Sequence, residues 1–407
     1  MKTLIKISWR NIWRNRQRSL TMILAITVGL WGGLFAASIA TGLMDQRFKT
    51  GVEQEFSHIQ VHNPEFLRES HPRHGIANWD TLQNELSAND TVVAFSGRTL
   101  VSGMIASANM TQGVNLLGVN PQMEAQTSSL KINLKEGEYF KEDMLNPLLL
   151  GKSLADLMNV RIGSRLVITF QDLNNELIST SCRVSGIYQT ANSAFDQRNI
   201  YLLQTDLNNY LGDTTIVTQA AMLLKDHKLS DDFSDSLQKK HPELNIRTWA
   251  EVSPQLAFYN EMGMTMFMII LFIILLALAF GLLNTMLMSV FERVKELGML
   301  MSIGMNKKRV FVMILLETIF LSLSGAASGM AASYLTLLSL KDKGINLAPL
   351  GAGSLSEFGF EPVVYPQLEV SFFIFLTIMV VAAAILTGIY PALKALRLNP
   401  AEAVKAD

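Results

Sequence analysis

"FERVKELGMLMSIGMNKKRV" (Phe291–Val310) is a short charged segment between two long apolar runs. Glu292 and Glu296 stand one turn apart near its start, and Lys307, Lys308 and Arg309 lie at its end. Acid first and base last suits a helix dipole. Leu297, Leu300 and Met301 form an apolar face at i, i+3, i+4. A solvated loop has no need of such a face. The pattern predicts a short helix that docks in a groove of a partner.

The runs on either side decide the fold. The chain has 407 residues, of which 49% are hydrophobic and 17% charged, which is apolar for a soluble chain of this length. Four stretches reach the about 20 residues that span a bilayer: Leu20–Leu43, Met262–Val290, Val310–Leu340 and Ser371–Tyr390. Cations collect in three places: Lys2, Lys6, Arg10, Arg14, Arg16 and Arg18; then Arg293, Lys295 and Lys307–Arg309; then Lys394, Arg397 and Lys405. With four spans all three fall on one side. The positive-inside rule then puts both termini and residues 291–309 in the cytoplasm, and residues 44–261 and 341–370 outside. A cleavable signal peptide fits poorly, because the first apolar run exceeds a signal core despite the weak Ser38-Ile39-Ala40 site. A net charge of -1 carries no nucleic-acid signature, and a single cysteine, Cys182, excludes an intrachain disulfide framework.

Residues 1–19 read as an interfacial amphipathic helix. Ile5, Trp9, Ile12 and Trp13 share one face, with the tryptophans at headgroup depth. The second and third spans are about 30 residues long, so each can project beyond the bilayer as a stalk. Gly29, Gly33 and Ala37 repeat at spacing four in the first span, and Gly325, Gly329 and Ser333 in the third. Small residues so spaced allow close helix packing. Glu317 is the one acid well inside a span and Asn284 the notable polar residue; no chain of acids suggests a proton relay.

Residues 44–261 read as a mixed α/β domain. Strand–helix–strand patterns at its two ends flank a β-rich insertion at about 116–211, with a hairpin turn at Asn174-Asn175. The fold class is therefore an α-helical membrane protein with four transmembrane helices and a large mixed α/β extracytoplasmic domain inserted between helices 1 and 2. Residues 391–407 form a cytoplasmic tail. Gly151-Lys152-Ser153 lacks the upstream glycine of a phosphate-binding loop and reads as a helix start. His58, His62, His71 and His74 lack a complete metal-ligand pattern and read as surface residues. No catalytic, cofactor or metal constellation stands out.

"WRNIWRNRQRS", "LLGVNP", "LLLGKSLADLMNVRIGSRL", "RVSGIY", "FDQRNIYL", "ERVKELGMLMSIGMNKKRV" and "YPALKALRLNPAEAVK" occur in this order along the chain. Together they resemble the FtsX-like permease subunits of ABC transporters, which include lipoprotein-releasing (LolC/LolE) and macrolide-exporter (MacB) types. The resemblance implies pairing with a second permease, alike or different, and with a dimer of separate ATPase subunits that hold the ATP and Mg. It implies movement of a lipoprotein or other amphiphile on the periplasmic side of the bacterial inner membrane. It makes residues 291–309 the coupling helix, with Glu292, Glu296, Leu297, Gly298, Leu300, Met301 and Gly304 as its ATPase contacts. Glu296 would face a basic or amide group, and Gly298 would permit close approach. Carrier-recruiting relatives use a protruding, proline-containing hook; "FQDLNNELISTSCRV" is short and has no proline. A periplasmic carrier or adaptor is therefore an open partner. The rival readings are tripartite export through an adaptor, and mechanical signalling to a cell-wall hydrolase.

Overall fold

A computed structural model describes residues 2–14, 16–141, 143–350, 356–357, 359–367 and 370–396. Arg397 and Lys405 of the expected tail lie outside the described residues. The chain divides into two compact units, Met1–Leu43 with Met262–Ile345 and Val363–Asp407, and Met44–Glu261 with Asn346–Pro362.

The first unit is helical. It holds α1 (Lys2–Arg14), α2 (Arg16–Thr50, which runs on past the unit), α3 (Pro254–Glu292, which begins before it), α4 (Val294–Ser302), α5 (Lys307–Leu340) and α6 (Val370–Leu396). Four helices within α2, α3, α5 and α6 are long and apolar enough to cross a membrane. Their core forms from Met22, Ile26, Leu30 and Leu34 of α2, at spacing four, against Leu271 and Leu282 of α3, Leu321 of α5, and Leu376 and Val380 of α6. Branched and long side chains on one stripe per helix interdigitate there.

The two small-residue stripes do not face each other. A Cβ added at Gly325 would lie 2.7 Å from Ile26 Cβ, and one at Gly329 would lie 3.1 Å from Leu30 Cβ. The α5 stripe thus meets bulky residues of α2. The α2 stripe meets leucines elsewhere: Leu278 lies 2.9 Å from a Cβ at Gly29, and Leu376 and Leu271 lie 3.6 and 3.7 Å from one at Gly33. Ala37 and Ser333 are buried. Small residues here act as holes for large knobs rather than as partners for one another.

In chain order the strand-rich unit falls between α2 and α3. Its strands are β1 (Ile59–His62), β2 (Val92–Ala106), β3 (Thr111–Val119), β4 (Leu134–Gly137), β5 (Pro147–Gly151), β6 (Arg165–Gln171), β7 (Leu177–Tyr188), β8 (Asn199–Leu203), β9 (Gln219–Leu224) and β10 (Asn245–Thr248). One sheet runs β10–β1–β9–β2. Helices Trp79–Ser87 and Ser230–Lys240 supply Leu82, Leu86 and Leu237 to the core against Ile59, Val61 and Met222. The pairings β2–β3–β8–β5–β7–β6 return to β2 and close a small barrel. Its interior holds Ile105, Leu116, Leu148, Leu150, Ile168 and Val184. The barrel begins inside β2, at Thr99, rather than near Leu116. β2 has 15 residues, long enough for its first half to pair β9 and its second half β3 and β6. Hydrophobic alternation along one strand gives no sign of such a change of partners.

Asn346–Pro362 belongs with this unit, which divides the loop expected at Lys341–Val370. Glu361 accepts from Gln46 Nε2 at 3.1 Å, and Gly359, at φ +74°, lies against the Arg47 guanidinium. His62 is buried rather than exposed, with Nδ1 3.1 Å from Thr218 O, and burial pulls its pKa down to about 4. Gly151 ends β5 and Lys152 opens a helix. A Cβ at Gly151 would meet Asp196 O at 2.1 Å, so packing accounts for this glycine.

Candidate functional site

The segment Phe291–Val310 is not one helix. α3 ends at Glu292, Arg293 turns the chain at φ -107°, and α4 follows. Met305 N–H donates to Leu300 O at 3.0 Å and Gly304 N–H to Met301 O at 3.1 Å. This paired closure is a Schellman motif, and it needs the left-handed conformation that Gly304 takes at φ +102°. Asn306 then caps α5, its side chain accepting from Lys308 N–H at 3.1 Å. Lys307, Lys308 and Arg309 therefore open α5 instead of closing α4. Contrary to the expected dipole pairing, these cations stand at the positive end of their helix, an unfavourable place for charge alone.

The apolar face is also turned the other way. Leu297 is buried with Val290, Val310, Met313, Ile314, Ala392 and Ala395, and Leu300, Met301 and Met305 pack on the same cluster. Gly298 is buried too. The face expected to enter a partner's groove is covered by α5 and α6 of this chain. What α4 and its C-cap present to solvent is Lys295, Met299, Ser302 and Ile303, with Ile303 86% exposed, followed by Gly304 and Asn306–Arg309.

Beneath this surface lies an ion network. Arg293 Nη1 donates to Glu317 Oε2 at 3.0 Å and Oε1 at 3.2 Å, and Arg293 Nε to Glu296 Oε2 at 3.1 Å. Asn11 Nδ2 of α1 donates to Glu317 Oε1 at 2.8 Å. Arg14 of α1 pairs with Glu296, and Arg18 of α2 approaches Glu292 at 3.5 Å. The side chains of Arg293 and Glu317 are only 13% and 8% exposed. Burial acts to lower the Arg293 pKa, but Glu317 and Glu296 outweigh it and the guanidinium stays charged. Burial acts to raise the Glu296 pKa, but Arg14 and Arg293 outweigh it and hold the carboxyl below its usual range.

Glu296 thus takes its basic partners from its own chain. Arg293, Asn11, Met299 and Ile303 were not singled out by sequence pattern as site residues. The signal that pointed here was Glu317, an acid inside an apolar run, which requires a partner. The network joins α1, α4 and α5 through two carboxylates. Displacing α4 therefore pulls on a side chain set inside α5.

On α1, Trp9 and Trp13 are half exposed, 6.1 Å apart edge to face, and Trp9 also meets Phe320 at 5.5 Å. Ile5 is exposed with them, while Ile12 is buried in the helical core. The expected interfacial face is narrower by that residue.

Among the described residues no group of three metal-ligating side chains occurs. In the strand-rich unit, the β6–β7 hairpin turns within Asp172–Glu176, with Asn175 at φ +66°.

Residues 268–400 match the FtsX-like permease C-terminal family. The chain is 22% identical to the lipoprotein-releasing system transmembrane protein LolC of Xylella fastidiosa (strain Temecula1 / ATCC 700964), covering 79% of this chain and 80% of that one. It is 20% identical to LolE of Haemophilus influenzae, covering 100% of both. It is 23% identical to the macrolide export ATP-binding/permease protein MacB of Bdellovibrio bacteriovorus, covering 97% of this chain and 60% of that one. Among solved structures, the periplasmic region of MacB from Actinobacillus actinomycetemcomitans aligns over 51% of this chain and 95% of its own, at 17% identity and a TM-score of 0.36.

Proposed function

We propose that this chain, a member of the FtsX-like permease family, is the membrane subunit of an ABC transporter whose ATP is bound and hydrolysed by a separate ATPase dimer. The observation that carries the reading is the Arg293–Glu317 pair, buried beneath an exposed surface of α4. A partner that grips Met299 and Ile303, with Lys295 and Lys307–Arg309 around them, gains apolar contact at the centre and charge at the rim. Its motion reaches α5 through a charge-assisted, doubly bonded contact rather than through a flexible loop.

In this reading the basic clusters and both termini are cytoplasmic, the strand-rich unit is periplasmic, and a second permease completes the pore-less pair. The substrate is a lipoprotein leaving the inner membrane, supported by the end-to-end likeness to the lipoprotein-releasing protein LolE. Tripartite export of small amphiphiles is the second reading, favoured by the nearly complete alignment of this chain with MacB.

Reconstitution tests this directly. The permease and its ATPase, in liposomes carrying a fluorescent lipoprotein, should release it into solution on adding ATP and an acceptor. ATP turnover with no release, and stimulation instead by a macrolide or peptide, would favour export. Orientation is tested separately, in a Cys182→Ser background. An Asn175→Cys variant should react with an impermeant thiol reagent in spheroplasts and a Met305→Cys variant should not; the reverse pattern inverts the topology.

A further inference from the structure

The end of the helical unit remote from Arg293 holds an unassigned pocket. The C-terminal end of α5, the start of α6 and residues 365–367 enclose about 750 Å³, within the range of about 300–1,000 Å³ typical of ligand sites. Leu337, Leu338, Val370 and Phe373 form apolar walls. Leu338 and Val370 are 50% and 74% exposed, so the walls continue into the outer surface of helices apolar enough to cross a membrane. Lys341, the C-cap of α5, supplies the single charge among the described lining residues, and Tyr365 stands in the wall with it. Among the described lining residues there is no carboxylate.

We propose that this pocket holds one acidic glycerophospholipid of the surrounding bilayer. Its acyl chains would lie among Leu337, Leu338, Val370 and Phe373, and its phosphate at the Lys341 ammonium. A site open sideways to hydrocarbon is filled from the bilayer before it is filled from water. A lysine capping a spanning helix, with a tyrosine beside it, suits headgroup depth. Among the described residues Lys341 is in no ion pair, and a single cation so placed favours an anionic headgroup over a zwitterionic one. A lysine here also suits the helix C-terminus, but that role requires no cavity beside it. The inference rests on these helices crossing a bilayer and not on any ATPase, so it can fail while the transporter reading stands, and the reverse.

The test is native mass spectrometry of the full chain, delipidated and exchanged into micelles holding equal phosphatidylglycerol and phosphatidylcholine. One bound phosphatidylglycerol per chain is expected, preferred about five-fold, the effect of one lysine near a surface. Lys341→Gln should bring that preference close to one. Leu338→Trp and Val370→Trp, made separately at exposed positions, should each lose bound lipid while unfolding at the wild-type temperature. Equal retention of the two lipids by the wild type would overturn the proposal. So would unchanged retention by both tryptophan variants. Retention of a triacylated peptide but not of phosphatidylglycerol would overturn it too, and would give the pocket to a transport substrate.

Discussion

Arg293, in the turn before α4, and Glu317, inside α5, are bound at 3.0 and 3.2 Å with almost no access to water. Neither charge can be removed alone without cost. Arg293→Met leaves Glu317 with the Asn11 amide as its one hydrogen-bond donor among the described residues, with the Arg18 charge nearby, and breaking one side of a buried pair costs about 3–5 kcal/mol. The double variant Arg293→Met with Glu317→Met should recover most of that stability, because no orphaned charge remains. If the pair transmits motion, the double variant unfolds like the wild type yet loses ATP-driven substrate release. Thermal unfolding and release, measured on the same preparations, separate the two effects. Full release by the double variant would reduce the pair to a structural contact.

The close approach of α5 to α2 gives a comparison of glycines. Gly325→Ala should destabilise by about 1–3 kcal/mol, the usual cost of overpacking, because its Cβ would lie 2.7 Å from Ile26 Cβ and the backbone-near atoms cannot swing away. Gly32→Ala, on α2, meets nothing within 4 Å and should be neutral or slightly stabilising. Detergent unfolding temperatures for the two variants check the contrast. Equal shifts would mean that α2 and α5 do not pack this way.

Asp196 sets a pH dependence in the strand-rich unit. Burial raises its pKa from 3.8 to about 7, against hydrogen bonds from Thr190 that lower it, with Glu55 adding to the rise. The folded state therefore favours the protonated acid. This contribution to stability is complete below pH 3.8 and is lost as pH rises through about 7. Within that window the loss is on the order of 1.4 kcal/mol per pH unit. Asp196→Asn keeps an acceptor for the Thr190 N–H and hydroxyl and should flatten the curve between pH 5 and 8. Denaturant titrations across that range measure it; parallel curves for the two proteins would contradict the assignment.

Much of the architecture was readable because its causes are local. Apolar run length marks the helices of TM type, and alternation marks strands such as Arg165–Gln171. What was illegible depends on the third dimension. The stretch from Glu292 to Arg309 has helical periodicity throughout, yet Gly304 and Asn306 break it into α4 and the start of α5. Both are recognised stop and start residues, but the charges on either side read equally well as one dipole. The face of Leu297 was correctly apolar and its partner was not deducible, since a periodic stripe does not say whether its cover lies in the same chain. The stripes at Gly29 and Gly325 were visible while their knobs, Leu278 and Ile26, were not. The change of partners within β2 leaves no trace in hydrophobic pattern.

The buried face of α4 also decides which variant can test docking. Gly298→Trp would disturb the chain's own core, so its failure would say nothing about a partner. Ile303 is 86% exposed and outside the ion network, so Ile303→Asp should leave folding unchanged while replacing apolar contact with a hydrated charge at the centre of the proposed contact. The decisive measurement is copurification of the ATPase with the Ile303→Asp permease, together with ATP turnover in liposomes. The account predicts a permease that inserts and unfolds like the wild type, retains little or no ATPase, and shows no substrate-stimulated turnover. Wild-type ATPase retention and turnover would contradict it, and the exposed edge of α4 would then not be where the ATPase acts.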